Sequence, residues 1–172
     1  MIIDAAVHFW KYGKATGAPQ ILGNKLMRED YLPSGISLNL QRNQVDACIA
    51  VAAEPAEVET RFLGELALTH PVIRGVIGWI DLNEKNTAGK VEKLSSYTAI
   101  RGFKLDASGE NPFPSEEVMQ ALAQHNYSLD LKLSSDTNTL QLNERIRSYP
   151  DLHFVLEQCG NPDAKQPPSA AW

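Results

Sequence analysis

Hydrophobic and polar positions along this chain follow two periods that take turns. Residues 45–53 (VDACIAVAA) form a nearly unbroken apolar run containing Val and Ile, as expected of a parallel strand buried on both faces. Residues 57–69 follow, with apolar side chains at Val58, Phe62, Leu63, Leu66 and Ala67. That spacing predicts a helix, ended by His70-Pro71. The same change of period then recurs. Strands are predicted at residues 72–82 (VIRGVIGWIDL), 99–107 (AIRGFKLDA), 128–133 (SLDLKL) and 152–159 (LHFVLEQC). Helices are predicted from Asn86 or Thr87 to about Tyr97, from Ser115 onward, and over 138–148. Glu116 and Glu117 in the first turn after Ser115 suit the helix dipole.

The N-terminal part fits the same scheme. Residues 1–10 (MIIDAAVHFW) read as an opening strand, in which Asp4, Ala6 and His8 share one face. Residues 11–24 contain three Gly and one Pro and read as a long loop. Ser34 is the expected N-cap of a helix carrying Ile36, Leu38 and Leu40. The segment 160–172, rich in Pro, Ser and Ala, reads as an irregular tail. Strand and helix thus alternate about every 25 to 30 residues, the pattern of a parallel α/β protein. Six β/α units are expected, whereas a closed (β/α)8 barrel takes roughly 250 residues. The 172 residues therefore read as one domain, an incomplete TIM-like barrel. Its first and sixth strands would be edges, which proteins pair or cover. The tail, further barrel units or a second copy of the chain in a homo-oligomer would do so.

Composition narrows the partners. At 43% hydrophobic residues the chain can bury a full core, and its net charge is −5. Nucleic-acid and anionic-membrane binding need clustered Lys and Arg, so neither is expected. No apolar run reaches bilayer length and the N-terminus does not resemble a signal peptide, which points to the cytoplasm. Cys48 and Cys159 form no CxxC pair, and both are expected to be buried free thiols. His70, His125 and His153 lie at element ends and are read as structural. No GxSxG elbow, P-loop or GxGxxG occurs.

Candidate chemistry follows from strand alternation. Lys104 and Asp106 share a face of the fourth strand, and Asp130 and Lys132 a face of the fifth. Facing inward, two lysines and two carboxylates would meet at the ligand end; otherwise the charges neutralise one another or one pair faces the helices. A desolvated lysine loses proton affinity and can act as a nucleophile. His8 is a candidate proton-transfer group, because imidazole ordinarily titrates near neutrality. Asp4 either orients His8 or bonds backbone.

Several segments carry a family resemblance. MIIDAAVHFW resembles the opening strand of the amidohydrolase superfamily, in its amidohydrolase-2, lactonase-like branch. REDYLP, VDACIAVAAEPAEVET, HPVIRGVIGWIDL, IRGFKLD and DLHFVLEQCGNPD follow in the family's order. The resemblance implies a TIM-like barrel and a hydrolase. The family's first strand usually reads Asp-Ala-His-x-His-Phe-Trp, with two histidines able to bind a divalent metal; here Ala6 replaces the first and His8 keeps the second. Gln158 stands where the family's sixth-strand His would be. Lys104-Leu105 replaces an Arg-His pair, and Ala52 and Pro55 replace Gln residues after the second strand. Asp4, His8, Trp10, Glu59, Trp79, Asp81 and Asp130 are retained.

The resemblance thus implies hydrolysis of a lactone or ester in a small sugar-derived or anionic ring. His8 would move protons and Lys104 would stabilise an oxyanion. Asp4, Trp10, Asp106, Asp130, Lys132 and Gln158 would contact the substrate. Catalytic zinc takes three protein ligands plus water, so no cofactor is expected, a divalent metal being the alternative. Two other readings stand beside this one. One is a non-catalytic relative that binds a ligand or partner, favoured by Ala6 and Gln158. The other is a lysine-dependent lyase using Lys104 or Lys132.

Overall fold

The computed structural model describes residues 1–13, 25–108, 112–134 and 137–160. Six strands and five helices alternate among them. They are β1 (Ile3–Val7), α1 (Pro33–Arg42), β2 (Ala47–Val51), α2 (Glu57–Thr69), β3 (Ile73–Gly78), α3 (Thr87–Leu94), β4 (Ile100–Asp106), α4 (Glu116–Gln124), β5 (Ser128–Lys132), α5 (Thr139–Ser148) and β6 (His153–Leu156). The expected tail at 161–172 and most of the expected loop at 11–24 lie outside the described residues.

All five strand pairings are parallel, and the order is β1-β2-β3-β4-β5-β6 without reversal. A doubly wound sheet would reverse its order at a switch point. Unbroken sequential order is that of a barrel, whose helices all pack on the outside. Six units curl into part of one, and among the described residues β1 and β6 each pair on one side only. The edges are correspondingly open: Ile3, Val155 and Leu156 are 37%, 45% and 49% exposed.

The core lies between the sheet and the helices. Phe103, Leu105, Leu129 and Leu131 point one way from β4 and β5 and join Leu63 of α2, Val91 and Leu94 of α3, and Met119 and Leu122 of α4. Burying each such side chain contributes about 1.5–3 kcal/mol. Because side chains alternate, the residues between them, Lys104 and Asp130, face the hollow instead. Register places Lys104 beside Asp130 and Asp106 beside Lys132.

Local chemistry departs from expectation in four places. α1 starts one residue before Ser34, at Pro33, with Leu32 as an N-cap that makes no side-chain bond; proline is preorganised for that first position. Asn86 caps α3 in a left-handed conformation without a side-chain bond, while the Thr87 hydroxyl is taken by the Asp81 and Glu84 carbonyls. β6 ends at Leu156, and Gln158 and Cys159 turn into left-handed conformations at φ 46° and 55°. That turn carries Cys159 outward, so it is exposed while Cys48 is buried. Ser115 does cap α4, accepting from the Val118 N–H.

Candidate active site at the strand ends

The C-terminal end of β2 organises the site. The carbonyls of its last residue, Val51, and of the following Ala52 accept side chains from the residue after β1 and from β4. His8, just after β1, places Nδ1 2.7 Å from the Val51 carbonyl oxygen. A carbonyl only accepts, so Nδ1 carries the proton and a neutral His8 keeps its lone pair on Nε2. Lys104 of β4 donates from Nζ to the Ala52 carbonyl at 3.2 Å. The same ammonium lies 3.2 Å from the Glu157 carboxylate, with both side chains largely buried.

Asp130 completes the cluster from β5. Only 8% exposed, it accepts the Ser128 hydroxyl at 2.6 Å. Burial pushes its carboxyl above the ordinary range and the Glu157 charge adds to this, while the Ser128 bond and Lys104 oppose it. Two acidic side chains, Glu157 and Asp130, thus lie close to the Lys104 cation.

The first turn of α2 braces this end of the sheet. Glu59 is fully buried, and its two carboxylate oxygens accept the Ala53 N–H at 3.0 Å and the Glu54 N–H at 2.9 Å. The arrangement resembles a capping box, in which an N3 glutamate reaches back to free amides. Burial pushes the Glu59 carboxyl up to about 7, against the pull of those two amides. Its neighbour Thr60 does the same for β3, donating to the Trp79 carbonyl at 2.6 Å and accepting the Trp79 N–H at 2.7 Å.

The remaining sequence candidates fall outside this cluster. Asp106 and Lys132 form a half-exposed pair at 3.6 Å, and Asp106 also accepts the Ser108 N–H. Such pairs contribute at most about 1 kcal/mol. Asp4 is exposed and accepts the Ala6 N–H at 3.3 Å, the backbone role among its two expected ones. Trp10 is buried: its ring packs 4.3 Å from that of Tyr31, and its indole N–H donates to the Met27 carbonyl. Gln158 was expected at the mouth, but the side chain that meets Lys104 is Glu157, and Gln158 is exposed. Sequence reasoning misses Glu157 and the bracing role of Glu59. The adjacency of two polar residues after β6 is a signal for Glu157, and the N3 placement of a glutamate is one for Glu59.

The described residues do not make up a zinc centre. The first-strand position that would carry the second histidine is Ala6, which has no donor, so His8 Nε2 would be the one imidazole nitrogen that β1 and the residues just after it offer. Among the described residues no three His, Cys, Asp or Glu side chains are grouped to hold an ion. Among them, too, no helix is long and apolar enough to cross a membrane.

Known proteins resemble the chain over this whole frame. An L-fucono-1,5-lactonase of Burkholderia ambifaria is 25% identical over 178 residues, covering 99% of this chain and 60% of that protein. An L-fucono-1,5-lactonase of Burkholderia multivorans is 37% identical over 109 residues, covering 63% of this chain and 36% of that protein. The chain thus spans at most about three fifths of the length of these relatives. A crystal structure of an amidohydrolase from Burkholderia multivorans with bound Zn superimposes with a TM-score of 0.74 at 27% identity, over 94% of this chain and 59% of the other. The amidohydrolase model of the Amidohydro_2 family matches residues 3–172, and the chain belongs to that family.

Proposed function

We propose that this chain carries the proton-transfer and charge-stabilising half of a lactone-hydrolysing site for small sugar-derived ring esters. The observation that carries the reading is that His8 and Lys104 bind the consecutive carbonyls of Val51 and Ala52 at the end of β2. Lactonase relatives at 25% and 37% identity support it.

The chemistry divides between the two side chains. Water adds to the ring carbonyl carbon and gives its proton to His8 Nε2, which is free because Nδ1 is bound to Val51. The carbonyl electrons move onto oxygen, and the developing anion meets the Lys104 ammonium. An ammonium has three donors; Ala52 and Glu157 take two. When the ring C–O bond breaks, the proton returns from His8 to the leaving oxygen and the product is a hydroxy acid. An ammonium in an ion pair with Glu157 suits charge stabilisation better than amine attack on a carbonyl.

The test is hydrolysis of a panel of sugar 1,5-lactones, L-fucono-1,5-lactone included, followed by acid release above the spontaneous rate. Turnover that falls roughly a hundredfold or more in His8→Ala supports the reading. Ala6 favours a second reading, binding without catalysis. Saturable lactone binding with no turnover, in protein shown to be folded, would establish that instead.

A further inference from the structure

From the geometry of the β2–α2 turn we infer that Glu59 is the positioning residue of the site, a latch that fixes His8 and Lys104 through the backbone between them. It touches neither. Its two carboxylate oxygens hold the N–H groups of Ala53 and Glu54, while the two preceding residues, Val51 and Ala52, present the carbonyls that hold His8 and Lys104. Three consecutive peptide groups are therefore pinned: the one after Val51 by His8, the one after Ala52 by both Lys104 and Glu59, and the one after Ala53 by Glu59. Ala52 is tied further to β3 through its N–H and the Ile77 carbonyl at 2.8 Å.

The placement points to more than stability. A buried carboxylate is costly, and a neutral side chain of the same shape would fill the space. Only an ionised carboxylate, however, accepts two N–H donors on two oxygens with no proton of its own to place. Glutamine offers one oxygen and one NH2 group, so one of the two amides would face a donor. The charged groups that act on Glu59 are Glu54 and Lys104, and Lys104 is itself part of the site. Burial brings the titration of the carboxyl close to neutral pH, so the latch is fully set only above about pH 7 and loosens as it takes up a proton.

The latch rests on the proposed lactone chemistry for its kinetic arm only. In Glu59→Gln, kcat is expected to fall roughly ten- to a hundredfold through misplacement of the reacting groups, with KM changed less than about twofold. The His8 ring, followed by long-range 1H–15N correlation, is expected to lose its single Nδ1–H tautomer. Leu63→Ala, a fully buried deletion on the same helix, serves as the control. It should lower the unfolding midpoint without altering the His8 signal. In the unchanged protein, the Ala53 and Glu54 amide protons should shift together with one midpoint near pH 7, a readout that needs neither a variant nor turnover. The inference is overturned if those amides do not titrate, if Glu59→Gln keeps both the tautomer and kcat, or if Leu63→Ala disturbs the ring equally. Tautomer and amide results as expected without any lactone turnover would leave the latch standing and count against the lactonase reading alone.

Discussion

Lys104 and Glu157 meet at 3.2 Å across the hollow, from the middle of β4 and from the residue just past β6. The contact joins non-neighbouring strands, so it fixes the curl of the sheet as well as the charge of the site. Asp130 lies between them in the strand order, buried and bonded to Ser128. Replacing Lys104 by methionine leaves these acids without their cation. Breaking a buried pair from one side costs several kcal/mol; with both groups partly exposed here, about 1–3 kcal/mol is expected. The penalty should also depend on pH. Asp130 already titrates above its ordinary range, and Lys104 is one of the two groups that oppose this. Removing it raises the folded-state value further, so stability falls as pH rises. Urea unfolding of Lys104→Met should show a larger deficit at pH 8 than at pH 5, and equal deficits would contradict the assignment.

Glu59 sets a second pH dependence, and its sign is opposite to the usual one for a paired carboxylate. Its folded-state value is raised to about 7 from the ordinary 4.5. Between those values the folded chain binds more protons than the unfolded chain, so stability falls as pH rises through that window. The shift corresponds to roughly 3 kcal/mol. Glu57, at the start of the same helix, is lowered by its bond to Arg61 and works in the other direction, but it is more exposed and contributes less. Glu59→Gln should flatten the stability curve between about pH 4.5 and 7. A curve parallel to that of the unchanged chain would show that Glu59 is not the responsible group.

Gly102 is where β4 and β5 approach too closely for any side chain. A methyl group there would lie 2.5 Å from the Ser128 carbonyl oxygen and would collide with the Ser128 hydroxyl that bonds Asp130. Gly102→Ala should therefore cost about 1–3 kcal/mol or more. Ser128→Ala, which only removes the hydroxyl, should cost about 1 kcal/mol. Denaturation midpoints distinguish the two, and an unchanged midpoint in Gly102→Ala would contradict the close approach.

The two cysteines should differ in reactivity. Cys48 is buried, and burial with the nearby Asp4 charge pushes its thiol up to about 11; Cys159 is exposed in the turn after β6. One thiol per chain should react with a disulfide reagent in the native state, and Cys159→Ser should abolish that reaction. Fast reaction of both thiols would show that β2 is not covered as described.

Much of this frame is legible in the amino-acid pattern alone. The change of hydrophobic period marks α2 at residues 57–69, the bounds that the structure also has. Alternation puts Lys104 and Asp130 on one face, because β4 and β5 run in regular register. Legibility fails where alternation stops. β6 ends at Leu156 and the chain turns left-handed at Gln158 and Cys159, so counting along a strand selects Gln158 over Glu157 and places Cys159 inside. Glu59 escapes for another reason. Its partners are backbone amides five and six residues upstream, and backbone groups leave no trace in side-chain patterns.

At the centre of the proposed chemistry, β2 presents His8 and Lys104 to a single reacting centre. A double-mutant cycle on kcat/KM for lactone hydrolysis, using His8→Ala, Lys104→Met and the pair, tests it most directly. Each single change is expected to cost roughly a hundredfold or more, and the pair far less than their product, because both act on one transition state. Fully multiplicative losses, or a Lys104→Met variant as active as the unchanged chain, would contradict it.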